Sequence, residues 1–153
     1  MLQFLRKHPR WVLNLWPPFL GAGIRVRYLQ PDWKALDVEM KLRWWNRNFV
    51  KTHYGGSLYS MADPFYMLML IANLGPDYIV WDKSAGIRFR KPGVGKMRAA
   101  FRLTEEQIEM IREALETGEK VEPAFTVEIK DESGAVVAEV QKLLYVRKKK
   151  DGQ

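Results

Sequence analysis

The stretch KTHYGGSLYSMADP, residues 51–64, opens the most hydrophobic segment of the chain. Gly55 and Gly56 precede a run in which Leu58, Met61, Phe65, Met67, Leu68, Met69, Leu70 and Ile71 leave almost no polar side. Gly75-Pro76 ends the run. This spacing predicts a helix over 57–74 that is buried on all sides. In a chain of 153 residues, which suits one domain, such a helix needs a sheet wrapped about it. One carboxylate, Asp63, interrupts the apolar run. A carboxylate buried in apolar surroundings is costly unless it is paired or used. Asp63-Pro64 is also a favoured pairing of N-cap and first helical residue. The residues alone leave both readings open, and a kink at Pro64 reconciles them.

Outward from the helix, alternation marks strands. IRVRY (24–28) sets Ile24, Val26 and Tyr28 against Arg25 and Arg27. DVEMKLRW (37–44) sets Val38, Met40 and Leu42 against Glu39 and Lys41, and pairs with the first as a hairpin across Pro31-Asp32. Residues 43–56 read as a loop. Beyond the helix, YIVWD, AGIRFRKPG and GKMRAAFRL are strands, with Ile87, Phe89, Met97 and Phe101 inward and Arg88, Arg90, Arg98 and Arg102 outward. TEEQIEMIREALETG is a short amphipathic helix with Thr104 as N-cap and Gly118 past its end. EPAFTVEIKD and AVVAEVQKLLYVR close the chain as a hairpin. Residues 1–16 read as an amphipathic helix that packs on its own domain, on a partner subunit or on a membrane surface. WPPFLGAG (16–23) is a breaker-rich connection. The organisation is therefore an N-terminal helix (1–16), an α+β domain (17–147) and a basic, frayed tail (148–153).

Composition narrows the chemistry. Cysteine is absent, so disulfides, thiolate metal sites and a Cys nucleophile are excluded. Two histidines, His8 and His53, are too few for a His-based metal centre, and no metal is expected. The formal charge is +7 and the pI about 9.7, which favours anionic partners. Residues 1–31 and 83–102 carry cations and no acid, whereas 105–122 carries seven glutamates. Nucleic acid is not expected, because no recognition helix, RNP motif or zinc finger accompanies the charge. No apolar run is long enough to span a membrane, and the N-terminus lacks a signal-peptide core. A cytoplasmic protein without integral membrane association is the expectation.

YGGSLYSMAD resembles the helix-opening motif of hotdog-fold acyl-CoA thioesterases of the phenylacetate-pathway type, which reads His-Gly-Gly, a Leu-rich turn, then Ala-Asp. The spacing from Tyr54 to Asp63 equals that from the family's His to its Asp. Asn48, six residues before Tyr54, falls where those enzymes have an Asn. IRFRKPGVG resembles their strand-turn F-x-R-P-G-x-x-G. With NLWPPF and YIVWDK, residues 16–147 are similar to the tetrameric acyl-CoA thioesterase branch (DUF4442).

The resemblance implies a hotdog fold, a curved antiparallel sheet around one long helix. It implies hydrolysis of an acyl-CoA thioester, with Asp63 as general base or nucleophile and the Gly55 amide holding the oxyanion. Asn48 would orient the water or the carbonyl. Tyr54, Gly56 and Ser57 would flank the substrate, and Arg90 and Lys91 would meet coenzyme A, which enters as part of the substrate rather than as a cofactor. A homodimer or homotetramer is implied, with Asp63 and Gly55 facing one substrate from different protomers.

One departure stands out: Tyr54 replaces the family His, and His53 lies one place out of register. A tyrosine donates a hydrogen bond but is no base near neutral pH.

The residues themselves support similar chemistry. A helix N-terminus offers unsatisfied N–H groups and a favourable dipole to an oxyanion. Glycines there permit close approach of a ligand. Asp63 lies seven residues past Gly56, about two helical turns, near the same face. His53 reads as a loop or surface residue, and Ser57 as a capping residue rather than a nucleophile. Trp44, Trp45 and 67–69 are core residues or the lining of an acyl pocket. The rival function is a non-catalytic hotdog domain that binds acyl-CoA or acyl carrier protein. A dehydratase would need an in-register His, which the chain lacks.

Overall fold

The structure, a computed structural model, describes residues 8–149. Two short helices, α1 (Pro9–Leu15) and α2 (Pro17–Ala22), lead into the hairpin β1 (Ile24–Leu29) and β2 (Ala35–Lys41). The central helical segment follows as α3 (Gly55–Ser60) and α4 (Phe65–Leu74). Then come β3 (Tyr78–Phe89), β4 (Lys96–Arg102), α5 (Glu105–Thr117), β5 (Ala124–Lys130) and β6 (Val136–Lys148). The six strands form one antiparallel sheet in the order β1-β2-β4-β5-β6-β3.

The strands alternate as their sequences dictate. Leu36, Val38 and Met40 on β2, Met97 and Phe101 on β4, Ile129 on β5 and Val140 and Leu144 on β6 are all buried. They share a core with Leu58, Met61, Phe65, Met69 and Leu70 from α3 and α4. A chain of ring contacts runs through it: Phe19–Phe65 at 5.7 Å, Phe65–Phe101 at 5.0 Å, Tyr66–Phe101 at 5.3 Å and Tyr66–Phe125 at 4.4 Å. The Thr104–Gln107 capping box opens α5, and Arg112 Nη2 donates to the last turn of α4 at Asn73 O, 2.9 Å.

The two edges of the sheet differ. At β1, Asn14 of α1 accepts from Val26 N (2.7 Å) and donates to Val26 O (3.1 Å), so a side chain covers the edge. Leu13 is buried in the same core, which seats α1 on its own domain. At the other edge β3, 12 residues long, pairs among the described residues on one side only, with β6.

Several elements depart from the expectation. The helix over 57–74 is two helices: Pro64 has no N–H to donate, and the path breaks across 61–64. Pro64 itself takes the N-cap position of α4 with no side-chain cap, so Asp63 does not cap it. Ser57 does not cap α3 either, because Tyr54 is the N-cap. WPPFLGAG forms a helix turn, since Pro17 and Pro18 occupy its first positions, where their fixed φ suits a helix. YIVWD and AGIRFRKPG are one strand with an irregularity between Asp82 and Ser84. Ile87 and Phe89 pair with Val140 and Ala138, so they face the helix side as expected. Phe89 is nevertheless 53% exposed, because β3 is the edge strand. Residues 1–7 of the N-terminal helix and 150–153 of the tail lie outside the described residues.

Candidate active site

Asp63 sits in the break between α3 and α4, half-exposed, with its side chain 43% accessible. Its Oδ1 accepts two hydrogen bonds, from Tyr59 OH at 2.6 Å and from Lys142 Nζ at 2.8 Å. Its Oδ2 makes no hydrogen bond to the described residues. One oxygen is therefore anchored and the other is left for a ligand or water.

Lys142 is fully buried, and its ammonium also lies 3.0 Å from Asp82 Oδ1 and 5.5 Å from the centre of the Tyr59 ring. One cation thus serves two carboxylates and a phenol. Burial, the strongest influence on Lys142, pulls its pKa down, but the hydrogen bonds and charges of Asp63 and Asp82 outweigh it, and the net shift is upward. Burial pushes the Asp82 carboxyl up, the neighbouring Asp63 charge adds to that, and Lys142 offsets only part. The two shifts point different ways energetically. The shared cation is well satisfied, whereas Asp82 bears the desolvation cost of the cluster. Burial and then the hydrogen bond to Asp63 push the Tyr59 phenol up, so it stays a donor at neutral pH.

Tyr59, with Ser60, already flanks the site in the sequence, whereas Lys142 and Asp82 carry no site assignment there. A signal existed. Lys142 occupies an inward position of β6 between Val140 and Leu144, and Asp82 an inward position of β3 after Val80. Charges on the buried face of a strand are rare unless paired.

At the other end of α3, the amides of Gly55 and Gly56 have no acceptor among the described residues, while Ser57 N bonds Tyr54 O at 3.0 Å. Both glycines are closely approached by exposed aromatic rings, which a side chain there would push aside. A Cβ on Gly56 would lie 2.5 Å from Tyr54 Cε1, and one on Gly55 would lie 2.9 Å from Phe89 Cζ. The space in front of these amides is taken by two rings that are themselves largely exposed.

Asn48 works within its loop. Its Oδ1 accepts from Val50 N (3.1 Å) and Thr52 N (3.0 Å), and its Nδ2 donates to Thr52 Oγ1 (2.9 Å) and His53 O (3.3 Å). Arg90 and Lys91 flank the KPG turn, where their backbone N–H groups both reach Val137 O. Arg90 lies 3.6 Å from Glu139, and Lys91 hydrogen-bonds Asp131, so part of their charge is already matched.

His53 is buried rather than on the surface. Its Nε2 bonds Gly95 O at 2.9 Å and its N–H bonds Gly93 O at 2.9 Å, which ties the KPGVG turn to the glycine motif. To meet a carbonyl, Nε2 must carry the proton, and Nδ1 is buried without a partner. Burial lowers the His53 pKa below its ordinary 6.5, with the Gly95 hydrogen bond opposing. Folded His53 therefore resists a proton that the unfolded chain accepts. The contribution is intact above pH 6.5 and is lost as pH falls through the depressed folded value. Thermal unfolding is expected to show an acid-side loss of stability that His53→Gln flattens. An equally steep loss in the variant would assign the slope to other groups.

Among the described residues no group of three His, Asp or Glu side chains is placed to hold a metal, and no helix is long and apolar enough to cross a membrane. A cleft of about 380 Å³ lies elsewhere, between α2, β1, β2 and Trp45, and none of the glycine-motif residues lines it.

Solved structures share this architecture. A Pseudomonas aeruginosa protein of unknown function, named a probable thioesterase, is 25% identical, with 96% of each chain covered and a TM-score of 0.80. A Haemophilus influenzae thioesterase is 14% identical over all of this chain and 95% of its own, with a TM-score of 0.66. The E. coli PaaI protein from the phenylacetic acid degradation operon is 15% identical over 94% of this chain and 92% of its own, with a TM-score of 0.64. No curated protein matches the sequence. A curved antiparallel sheet about a central helical segment opened by a glycine pair makes this a hotdog-fold protein. Within that class, the chain belongs to the family described as Domain of unknown function (DUF4442), which matches residues 7–146.

Proposed function

We propose that the protein hydrolyses acyl-CoA thioesters, with Asp63 as the general base. The observation that carries this reading is the state of Asp63: a half-exposed carboxylate in a helix break, one oxygen held by Lys142 and Tyr59 and the other unengaged. The likeness to proteins named thioesterases supports the same chemistry. Asp63 Oδ2 would take a proton from water as its oxygen attacks the thioester carbonyl carbon. The tetrahedral oxyanion would be met by the unengaged Gly55 and Gly56 amides. Collapse would break the C–S bond, and the proton on Asp63 would pass to the departing thiolate.

Within one copy these two groups belong to opposite ends of α3, Gly55 at its start and Asp63 in the break beyond its end. Eight positions separate Gly55 from Asp63, about 12 Å at helical rise. A reacting carbon must lie within about 3–3.5 Å of its nucleophile, with oxyanion donors at hydrogen-bond distance. One substrate would on this reading draw its carboxylate and its amides from two protomers, as the resemblance implies. The open edge of β3 supplies the natural seam for a homodimer, and such dimers can pair into tetramers. Substrate would displace the exposed rings of Tyr54 and Phe89 from the glycines, with Ser57 beside them. Asn48 would act by holding the loop ahead of the motif. Arg90 and Lys91 would offer their remaining charge to coenzyme A, and the site needs no metal or added cofactor. The protein would act in the cytoplasm.

The chain has no cysteine, so released coenzyme A can be read with a thiol reagent against no protein background. A panel of short, medium, long and aryl acyl-CoAs is expected to include a substrate that is turned over. Tight acyl-CoA binding with no turnover across the panel would overturn hydrolysis in favour of a binding domain, a reading that Tyr54 in the His position would then explain.

A further inference from the structure

The loop between β2 and α3 presents apolar tips that the fold does nothing to bury. Phe49 is fully exposed, Trp44 is 78% exposed, and Val50 stands beside Phe49 in water. The loop is not slack. Asn48 gathers Val50 N, Thr52 N and Thr52 Oγ1, and Arg47 and His53 bridge across its base. Lys51 is held at φ +64, a conformation disfavoured for a residue with a side chain. The chain thus builds a firm hairpin that carries Phe49 and Val50 at its tip.

The charge carried by the loop itself has one sign, with Glu132 reaching only the Gly95 turn at its base. No acid occurs from Met40 to Ala62, while Lys41, Arg43, Arg47 and Lys51 fall within that span. None of these four, nor Arg25, makes an ion pair among the described residues. Other cations of the sheet do: Arg102 with Asp37, Lys91 with Asp131, and Arg27 and Arg98 with Glu39, where Arg27 and Glu39 themselves line the cleft between α2, β1 and β2 and leave it with a net positive charge. Arg25, Lys41 and Arg43 converge on the cleft of about 380 Å³, where Trp45 and the exposed Leu20 of α2 complete the rim. Arg43 also lies over the Trp45 ring, 5.4 Å from its centre.

We propose that this face docks the protein on an anionic lipid surface, with Phe49, Val50 and Trp44 entering the headgroup region and Arg43, Arg47, Lys51 and the cleft cations meeting lipid phosphates. Apolar and indole side chains at the tip, with cations one step behind, match the layering of a bilayer interface. A symmetric contact with a second copy fits poorly, since it would press one unpaired basic loop against another. The association is peripheral and does not depend on whether the chain hydrolyses thioesters.

Flotation of the full chain with phosphatidylcholine vesicles, with and without phosphatidylglycerol, tests it. Binding is expected to the mixed vesicles and to weaken with salt. A Trp44→Ser, Phe49→Ser double variant with an unchanged unfolding midpoint is expected to bind roughly tenfold more weakly. Replacement of Arg43, Arg47 and Lys51 by Gln should lose roughly fivefold per cation. Absence of flotation with mixed vesicles at low salt, or unchanged binding by the double variant, would overturn the proposal. So would dissociation of the oligomer by the Trp44→Ser, Phe49→Ser variant, which would assign the patch to a second copy.

Discussion

Asp63→Asn is expected to lower turnover of the best acyl-CoA by about 10²–10⁴-fold, the range associated with loss of a general base. The substitution keeps the shape of the side chain. The amide oxygen can still accept from Tyr59 OH and Lys142 Nζ, so the anchored side of the residue is preserved. Only the second position changes, from a carboxylate oxygen that takes a proton to an amide nitrogen that cannot. The loss should therefore fall on kcat, with the substrate's KM little altered. Analytical ultracentrifugation should show the same sedimentation as wild type, because Asp63 lies in the helix break and not on the open edge of β3. Turnover unchanged within a few-fold would remove Asp63 from the chemistry and leave it as a structural partner of Lys142 and Tyr59.

Lys142→Met is expected to destabilise the fold by about 2–3 kcal/mol, below the 3–5 typical of a broken buried pair, because Asp63 is partly exposed to water. For a chain of this length that corresponds to a fall in melting temperature of roughly 4–12 °C. Met nearly matches the Lys side chain in volume, so the loss reports charge rather than a cavity. The sign with pH follows from the upward shift of Lys142. Its stabilisation is present below its ordinary value of 10.5 and is lost as pH rises through the higher folded value. The gap between variant and wild type should therefore hold at neutral pH and close in strong alkali. Asp82, whose folded pKa is raised, is a burden at neutral pH and should be the cheaper carboxylate to neutralise. In a double-mutant cycle, Asp82→Asn is expected to restore part of what Lys142→Met loses. Wild-type stability for Lys142→Met at neutral pH would show that the cation is dispensable.

Local pattern carried much of this fold. Ile24 to Val26, Val38 to Met40 and Met97 to Phe101 alternate in sequence and are buried in alternation in space. The edge is where pattern and burial part. Phe89 has the right facing but no neighbour beyond β3 to cover it, and strand order is a long-range property that alternation does not encode. Register in the sequence separates His53 from Tyr54, yet their surroundings differ in ways that register does not predict. His53 is buried against Gly93 and Gly95, and Tyr54 lies open with its ring on Gly56.

The candidate site divides along the same line. The sequence by itself determined the glycine pair at the start of an apolar helical segment, a carboxylate placed before a proline, and the chemistry that the missing cysteines forbid. These are local facts: φ freedom, a missing N–H, a side-chain inventory. The expected burial of that segment on all sides fails at Ile71 and Ala72, which are exposed. Only the tertiary structure decided what Asp63 touches. Lys142 comes from 79 positions further along the chain, and Asp82 from the strand paired beside it. Their meeting depends on β6 and β3 lying together at one side of the sheet. An ionised group in an apolar interior is tolerated only where the fold delivers a counter-charge, and that delivery is set by strand order.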